Sequence, residues 1–244
     1  TFLPWLAVCV LALPWFARAW ADRARLVAAY GLAAAAVLAP WVMRNQVHFG
    51  QPIAGTTHGG YTLLLANNPW FYHHLDQGPW RAVWPADELN QWWVSRTSRG
   101  TPDDELRADR LAYEEARANI RRQPGMFLYA CVVRVGWLWS PLAHQVNPHE
   151  PQAERLARYA VGLWNLAELA LAVVGLAAVF LARRAAKGEL RVERGTWVWG
   201  VLLVLVFTAV HAVYWTNIRM RAPLMPVVVL AAAAGCGAVR RRKR

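Results

Sequence analysis

The chain has 244 residues, 57% of them hydrophobic and fifteen of them tryptophan, with a formal net charge of +12. Apolar content gathered into continuous runs of roughly 18 or more residues marks membrane-spanning helices and excludes an ordinary soluble domain. The basic excess sits in short loops and in the tail, so membrane orientation accounts for it better than nucleic-acid binding does.

Phe2 to Ala17 is the first apolar run. Pro4, Pro14 and the lack of a basic lead-in argue against a signal peptide, and Thr1 already opens inside the run. The expectation is a chain cut from the C-terminal part of a longer membrane protein, with residues 1–43 holding two transmembrane helices, the first truncated. Leu26 to Met43 is the second run; Ala157 to Ala182, Thr196 to Trp215 and Ala222 to Val239 follow. Short segments rich in Lys and Arg stay on the cytoplasmic side. They are Arg18, Arg23 and Arg25; Arg183, Arg184, Lys187, Arg191 and Arg194; and the tail Arg240 to Arg244. Residues 157–244 are thus three transmembrane helices and a basic cytoplasmic tail. The region 44–156 faces outward, together with the polar turn between the last two runs.

Within the outward region, Asn45 to Gly100 is rich in Gly, Pro, Asn and Trp, which predicts turns and short strands. Thr101-Pro102-Asp103-Asp104 then opens a helix over 102–122, with an N-cap, an early proline and acids at the positive dipole end. Leu106, Tyr113, Ala116 and Ile120 form its apolar face, with Asp109 and Glu114 directed elsewhere. The stretch 126–141 rises about 24 Å, short of a hydrocarbon core of about 30 Å. With Arg134 at its centre, it reads as an interfacial or re-entrant helix with Trp137 and Trp139 in the headgroup belt. The fold class expected is an all-α polytopic membrane protein with an external loop layer that carries short helices.

Candidate site residues start with Arg219 and Arg221, in a turn followed by Pro223 and Pro226. Planar guanidinium donors can bind two oxygens of one phosphate, so the pair reads as an anion clamp at the membrane boundary. Snorkelling interfacial arginines are the plainer explanation. Arg44 and Asn45, taken as a helix end, either assist that phosphate site or cap the helix. Asn67-Asn68-Pro69 either hydrogen-bonds a substrate or builds a turn. His211 and Tyr214, three apart, share a helix face and either serve polar bundle packing or contact substrate. Glu168 lies about 16 Å into its run, where an acid is either a functional candidate or a protonated or hydrogen-bonded member of the bundle. His73-His74-Leu75-Asp76 has metal-ligand residue types, but adjacent histidines diverge, so no metal site is assigned. Trp70, Trp80, Trp84, Trp92 and Trp93 suit interfacial anchoring, with one or two left for stacking on a sugar. Cys9, Cys131 and Cys236 have no ligand spacing and read as small core residues.

Several ordered motifs resemble bacterial GT-C glycosyltransferases, the polytopic enzymes related to protein O-mannosyltransferases and aminoarabinose transferases. They are Pro40-Trp41-Val42-Met43-Arg44-Asn45, Phe49-Gly50, Gly59-Gly60 and Asn67-Asn68-Pro69; then Gln123-Pro124-Gly125, Leu138-Trp139-Ser140-Pro141, and Arg219-Met220-Arg221-Ala222-Pro223-Leu224-Met225-Pro226. The resemblance runs from Ala39 onward and implies a GT-C-like helix bundle in the inner membrane of a bacterium. It implies transfer of a sugar from a polyprenyl-phosphate donor to a glycan, lipid or protein acceptor at the outer face of the bilayer, with Arg219, Arg221 and Arg44 on the donor phosphate. The family's catalytic carboxylate belongs to a first external loop, expected upstream of residue 1. A divalent metal is compatible with such chemistry but has no support in the residues. The rivals are a transporter or flippase-like protein, which calls for internal repeats, and a non-catalytic membrane subunit.

Overall fold

The computed structural model describes residues 2–16, 19–78, 83–98, 100–143, 149–181 and 189–242. Arg18, Trp80, Arg183, Arg184, Lys187, Lys243 and Arg244 lie outside them, as do the run ends Ala17 and Ala182. So do the side chains of Arg191, Arg194, Arg241 and Arg242. Ten α-helices are described: α1 (Phe2–Ala12), α2 (Trp20–Phe49), α3 (Gly59–Ala66), α4 (Pro69–Gln77), α5 (Asp87–Arg96), α6 (Pro102–Arg122), α7 (Pro124–Leu138), α8 (Gln152–Leu181), α9 (Glu189–Val213) and α10 (Met225–Arg242). Two 3₁₀ turns, Leu13–Phe16 and Ile218–Leu224, complete the set, and no strand occurs among the described residues. Among the described residues four segments are long and apolar enough to cross a membrane: Trp20–Phe49, Gln152–Leu181, Gly195–Val213 and Ile218–Arg240. The protein is an all-α polytopic membrane protein.

Contacts divide the chain into two compact units. One comprises residues 1–78, 84–132 and 212–215; the other comprises 79–83, 133–211 and 216–244.

In the first unit the expected strands of 45–100 are three short helices instead. The composition that suggested turns has other causes. Gly59 and Gly60 open α3 where it packs on α6; a Cβ on Gly60 would strike the Asp109 carbonyl oxygen, and one on Gly59 the Tyr113 hydroxyl. Gly60 therefore serves close backbone approach. Asn68 caps α4, its Oδ1 accepting from Phe71 N at 2.8 Å, and Pro69 takes the first turn where no N–H partner is needed. Trp84 is buried beside Phe71 and Trp215, with ring centroids 5.2 and 5.9 Å away, so it is core rather than a membrane anchor. The α6 helix matches its sequence reading: Thr101 Oγ1 accepts from Asp104 N at 3.1 Å, and Asp104 Oδ2 accepts from Thr101 N at 3.2 Å.

Helix α2 passes through Pro40 and does not close at Asn45. It runs on to Phe49 and ends where Gly50 adopts φ 66°, a left-handed conformation that favours glycine. Of the cysteines only Cys9 is buried; Cys236 is exposed.

In the second unit α8 and α10 pack against each other through glycines. A Cβ on Gly175 would strike the Ala231 carbonyl oxygen and lie 2.7 Å from Gly235 N; one on Gly235 would strike the Leu171 carbonyl oxygen. Small residues at such crossings let backbones meet, which matters in a bilayer where apolar transfer gives helices no reason to associate. Ala172, Val228, Ala231 and Ala232 complete that seam.

Gly175→Val is therefore expected to lower stability by about 1–3 kcal/mol through overpacking. Gly136→Ala, whose Cβ meets nothing within 4 Å, should be near neutral. Thermal unfolding of both variants in one lipid environment checks the pair, and equal effects would refute the packing assignment.

Candidate functional site

The turn that carries the two arginines is built by its own residues. Asn217 Oδ1 accepts from Arg219 N at 2.9 Å, and Asn217 O accepts from Met220 N at 3.0 Å. Pro223 and Pro226 occupy the 3₁₀ turn and the first turn of α10, where fixed φ is tolerated. In a 3₁₀ helix each residue advances the chain by about a third of a turn, so positions i and i+2 do not share a face. The two arginines divide accordingly.

Arg221 is 5% exposed. Its Nη1 donates to Ser140 O at 2.8 Å and lies 3.5 Å from Leu138 O, at the C-terminal end of α7. That end carries unpaired carbonyls and partial negative charge, a suitable seat for a guanidinium. Glu168 of α8 adds an attractive charge, so the acid within the bilayer has a cationic neighbour. The segment Leu138-Trp139-Ser140-Pro141 is tied from other directions as well. Trp139 Nε1 donates to Thr208 Oγ1 at 3.1 Å, and Asn165 Nδ2 donates to Pro141 O at 2.9 Å. Trp139 is thus held within the helix unit. Arg134, midway along α7, is fully buried.

Arg219 is exposed, and its guanidinium bonds no acceptor among the described residues. Of the two cations, it is the one open to a ligand.

The other predicted residues fall as follows. Arg44 is exposed, inside α2 rather than at its end. Its Nη1 donates to Asn45 Oδ1 at 3.0 Å, and its guanidinium lies 5.4 Å from the Trp41 ring centroid. Asn45 is buried and donates to Ile53 O at 2.7 Å, pinning the loop that follows α2. Asn67 and Asn68 are both fully buried. Asn67 Nδ2 donates to Leu63 O and Val213 O, both at 2.9 Å, and its Oδ1 accepts from the Tyr72 hydroxyl at 3.1 Å. Asn68 Nδ2 donates to Leu64 O at 2.9 Å. These amides organise the backbone, which is the turn-building alternative rather than substrate binding. Helix α9 stops at Val213, so His211 and Tyr214 do not share a helix face; His211 is buried beside Phe207, and Tyr214 hydrogen-bonds Tyr113. His73, His74 and Asp76 lie on α4, where consecutive residues diverge. Among the described residues no cluster of three His, Cys, Asp or Glu side chains is placed to hold a metal.

A feature the sequence reading missed lies in the first unit. A cavity of about 870 Å³ opens beside α6, with Tyr61, Trp93, Asn90, Glu105 and Asp109 in its wall. Asp109 is not directed away from the packed face. It stands three residues after Leu106 and four before Tyr113, on the apolar stripe itself, and its Oδ1 accepts from Gly60 N at 2.7 Å. Burial pushes its carboxyl above the usual range, the Gly60 N–H and His58 oppose that, and Glu105 adds to it. Tyr113 is likewise raised, by burial and by its bond to Tyr214. An acid on a helix's apolar stripe was the available signal.

No family model, no curated protein and no solved structure matches the chain.

Because the folded state holds the Asp109 proton more tightly than an unfolded chain does, the charged carboxylate costs stability at neutral pH. That cost disappears as pH falls through its folded pKa. Asp109→Asn, which keeps an acceptor for Gly60, should unfold at a higher temperature than the parent at pH 7, with the gain gone by about pH 4. A gain that is the same at every pH would assign the effect to the amide and not to the charge.

Proposed function

We propose that this chain is part of an integral membrane glycosyltransferase of the GT-C type. It transfers a sugar from a polyprenyl-phosphate donor to a glycan, lipid or protein acceptor at the outer face of a bacterial inner membrane, with its C-terminus in the cytoplasm. One observation carries the proposal: an exposed Arg219 stands on a proline-braced turn that leads into a membrane-length helix, while its neighbour Arg221 is anchored to α7. Two of the motifs behind the resemblance, Leu138-Trp139-Ser140-Pro141 and Arg219-Met220-Arg221, are joined by that anchor, which supports reading them as one functional unit.

The roles follow from the charge change in the reaction. Breaking the bond between the sugar and its carrier leaves added negative charge on the lipid phosphate. A cation already fixed in place stabilises that charge more in the transition state than in the ground state. Arg219 is assigned the direct phosphate contact. Arg221 holds the turn and contributes its field without contact. Arg44 remains a further candidate for the phosphate. Proton removal from the acceptor falls to a carboxylate, which the family resemblance assigns to a first external loop.

Binding can be tested apart from turnover. The chain in nanodiscs of zwitterionic lipid would be titrated with farnesyl phosphate, with farnesol as the uncharged control. Arg219→Ala should weaken binding about ten- to a hundred-fold, the loss of one charge-assisted contact, and Arg219→Lys should fall between it and the parent. Equal affinity of parent and Arg219→Ala for farnesyl phosphate would overturn the assignment.

A further inference from the structure

The cavity beside α6 has a wall chemistry unlike that of the arginine turn. Tyr61 and Trp93 bring their rings to 4.9 Å between centroids, inclined at 48°, and make an aromatic side. The same wall carries planar polar groups. The Tyr61 hydroxyl donates to Asn90 Oδ1 at 3.1 Å, which leaves the Asn90 amide nitrogen without an acceptor among the described residues. Glu105 accepts from the Thr57 hydroxyl through one carboxylate oxygen, and Asp109 accepts from Gly60 N through Oδ1. In each carboxylate the second oxygen has no donor among the described residues. Glu105 and Asp109 are one helical turn apart on α6, so both carboxylates belong to one face.

This combination selects among ligand classes. Two carboxylates repel a phosphate or a fatty acid. A hydrocarbon would leave the carboxylates and the amide desolvated and unpaired. A pyranose offers what the wall lacks: an apolar C–H face for the aromatic side, and vicinal hydroxyls that donate pairwise to a carboxylate and accept from an amide. The volume, about 870 Å³, falls in the range of small-molecule sites and accommodates one or two sugar rings. We infer that this cavity is a saccharide-binding site, with Trp93 as its stacking platform and Asp109, Glu105 and Asn90 as its hydroxyl-reading groups.

The site goes beyond donor-phosphate binding, and its test does not depend on it. Ligand-observed saturation-transfer NMR would be run on the chain in nanodiscs, since sugar-headed detergents would compete for the cavity. The probes are the methyl glycosides of glucose, galactose, mannose and N-acetylglucosamine, with empty nanodiscs as blank. At least one glycoside should receive saturation from the protein. Its affinity should fall at least about ten-fold in Trp93→Ala and about five-fold in Asp109→Asn, where a charged acceptor becomes neutral. Trp93→Phe should retain most of the binding, and Glu114→Gln, on an exposed face of α6, should leave it unchanged. Should Trp93→Ala fail to fold, Asp109→Asn and Asn90→Ala carry the test. No saturation of any of the four glycosides, or parent-like affinity in Asp109→Asn and Asn90→Ala, would overturn the inference.

Discussion

A guanidinium taken out of water must find acceptors for its donors, and the free carbonyls at a helix C-terminus are among the few that a helical membrane protein can offer. Arg221 meets that condition on Leu138 and Ser140, at the end of α7. The segment it grips is also held by Asn165 from α8 and, through Trp139, by Thr208 from α9. Three stretches of chain therefore converge on four residues, 138–141. The position of the turn before α10 follows from this, and so does the exposure of Arg219. Glu168 completes the balance by placing a negative charge within reach of the buried cation.

The two units reach close packing by the same device. Gly60 lets α3 approach α6, and Gly175 with Gly235 lets α8 approach α10. In the first case the reward is a polar arrangement: Asp109 receives a backbone N–H and stands half-buried at a cavity wall. In the second it is an apolar seam of alanine and valine. A half-buried acid whose charged form is disfavoured is a cost that structure alone does not require, and such costs concentrate at sites that bind or react.

What the sequence makes legible depends on the range of the interaction. Membrane-length helices are legible because twenty apolar residues carry their own reason to be helical in a bilayer. Helix α6 is legible because Thr101, Pro102 and Asp104 form its start within four residues. The short helices α3 to α5 are not. Their glycines and asparagines act on partners far along the chain: Gly60 on Asp109, and Asn67 on Val213. Locally such residues look like turn formers. Pro40 misleads in a similar way, because a proline in a membrane helix need not end it. Arg219 and Arg221 were recognised as candidates from residue type and setting, but their division into an open and a buried cation was not legible. It rests on a carbonyl 81 residues upstream of Arg221. The cavity beside α6 went unread because its groups come from α3, α5 and α6 together, although Asp109 on the apolar stripe was visible.

Arg221 is the brace on which the second unit depends. Equilibrium unfolding of Arg221→Gln and Arg219→Gln in the same lipid environment compares the two cations directly. The structure predicts a loss of about 2–3 kcal/mol for Arg221→Gln, as charge-assisted bonds to helix-end carbonyls are given up. It predicts a change within about 0.5 kcal/mol for Arg219→Gln, an exposed position. Equal losses in the two variants, or an Arg221→Gln protein as stable as its parent, would contradict it.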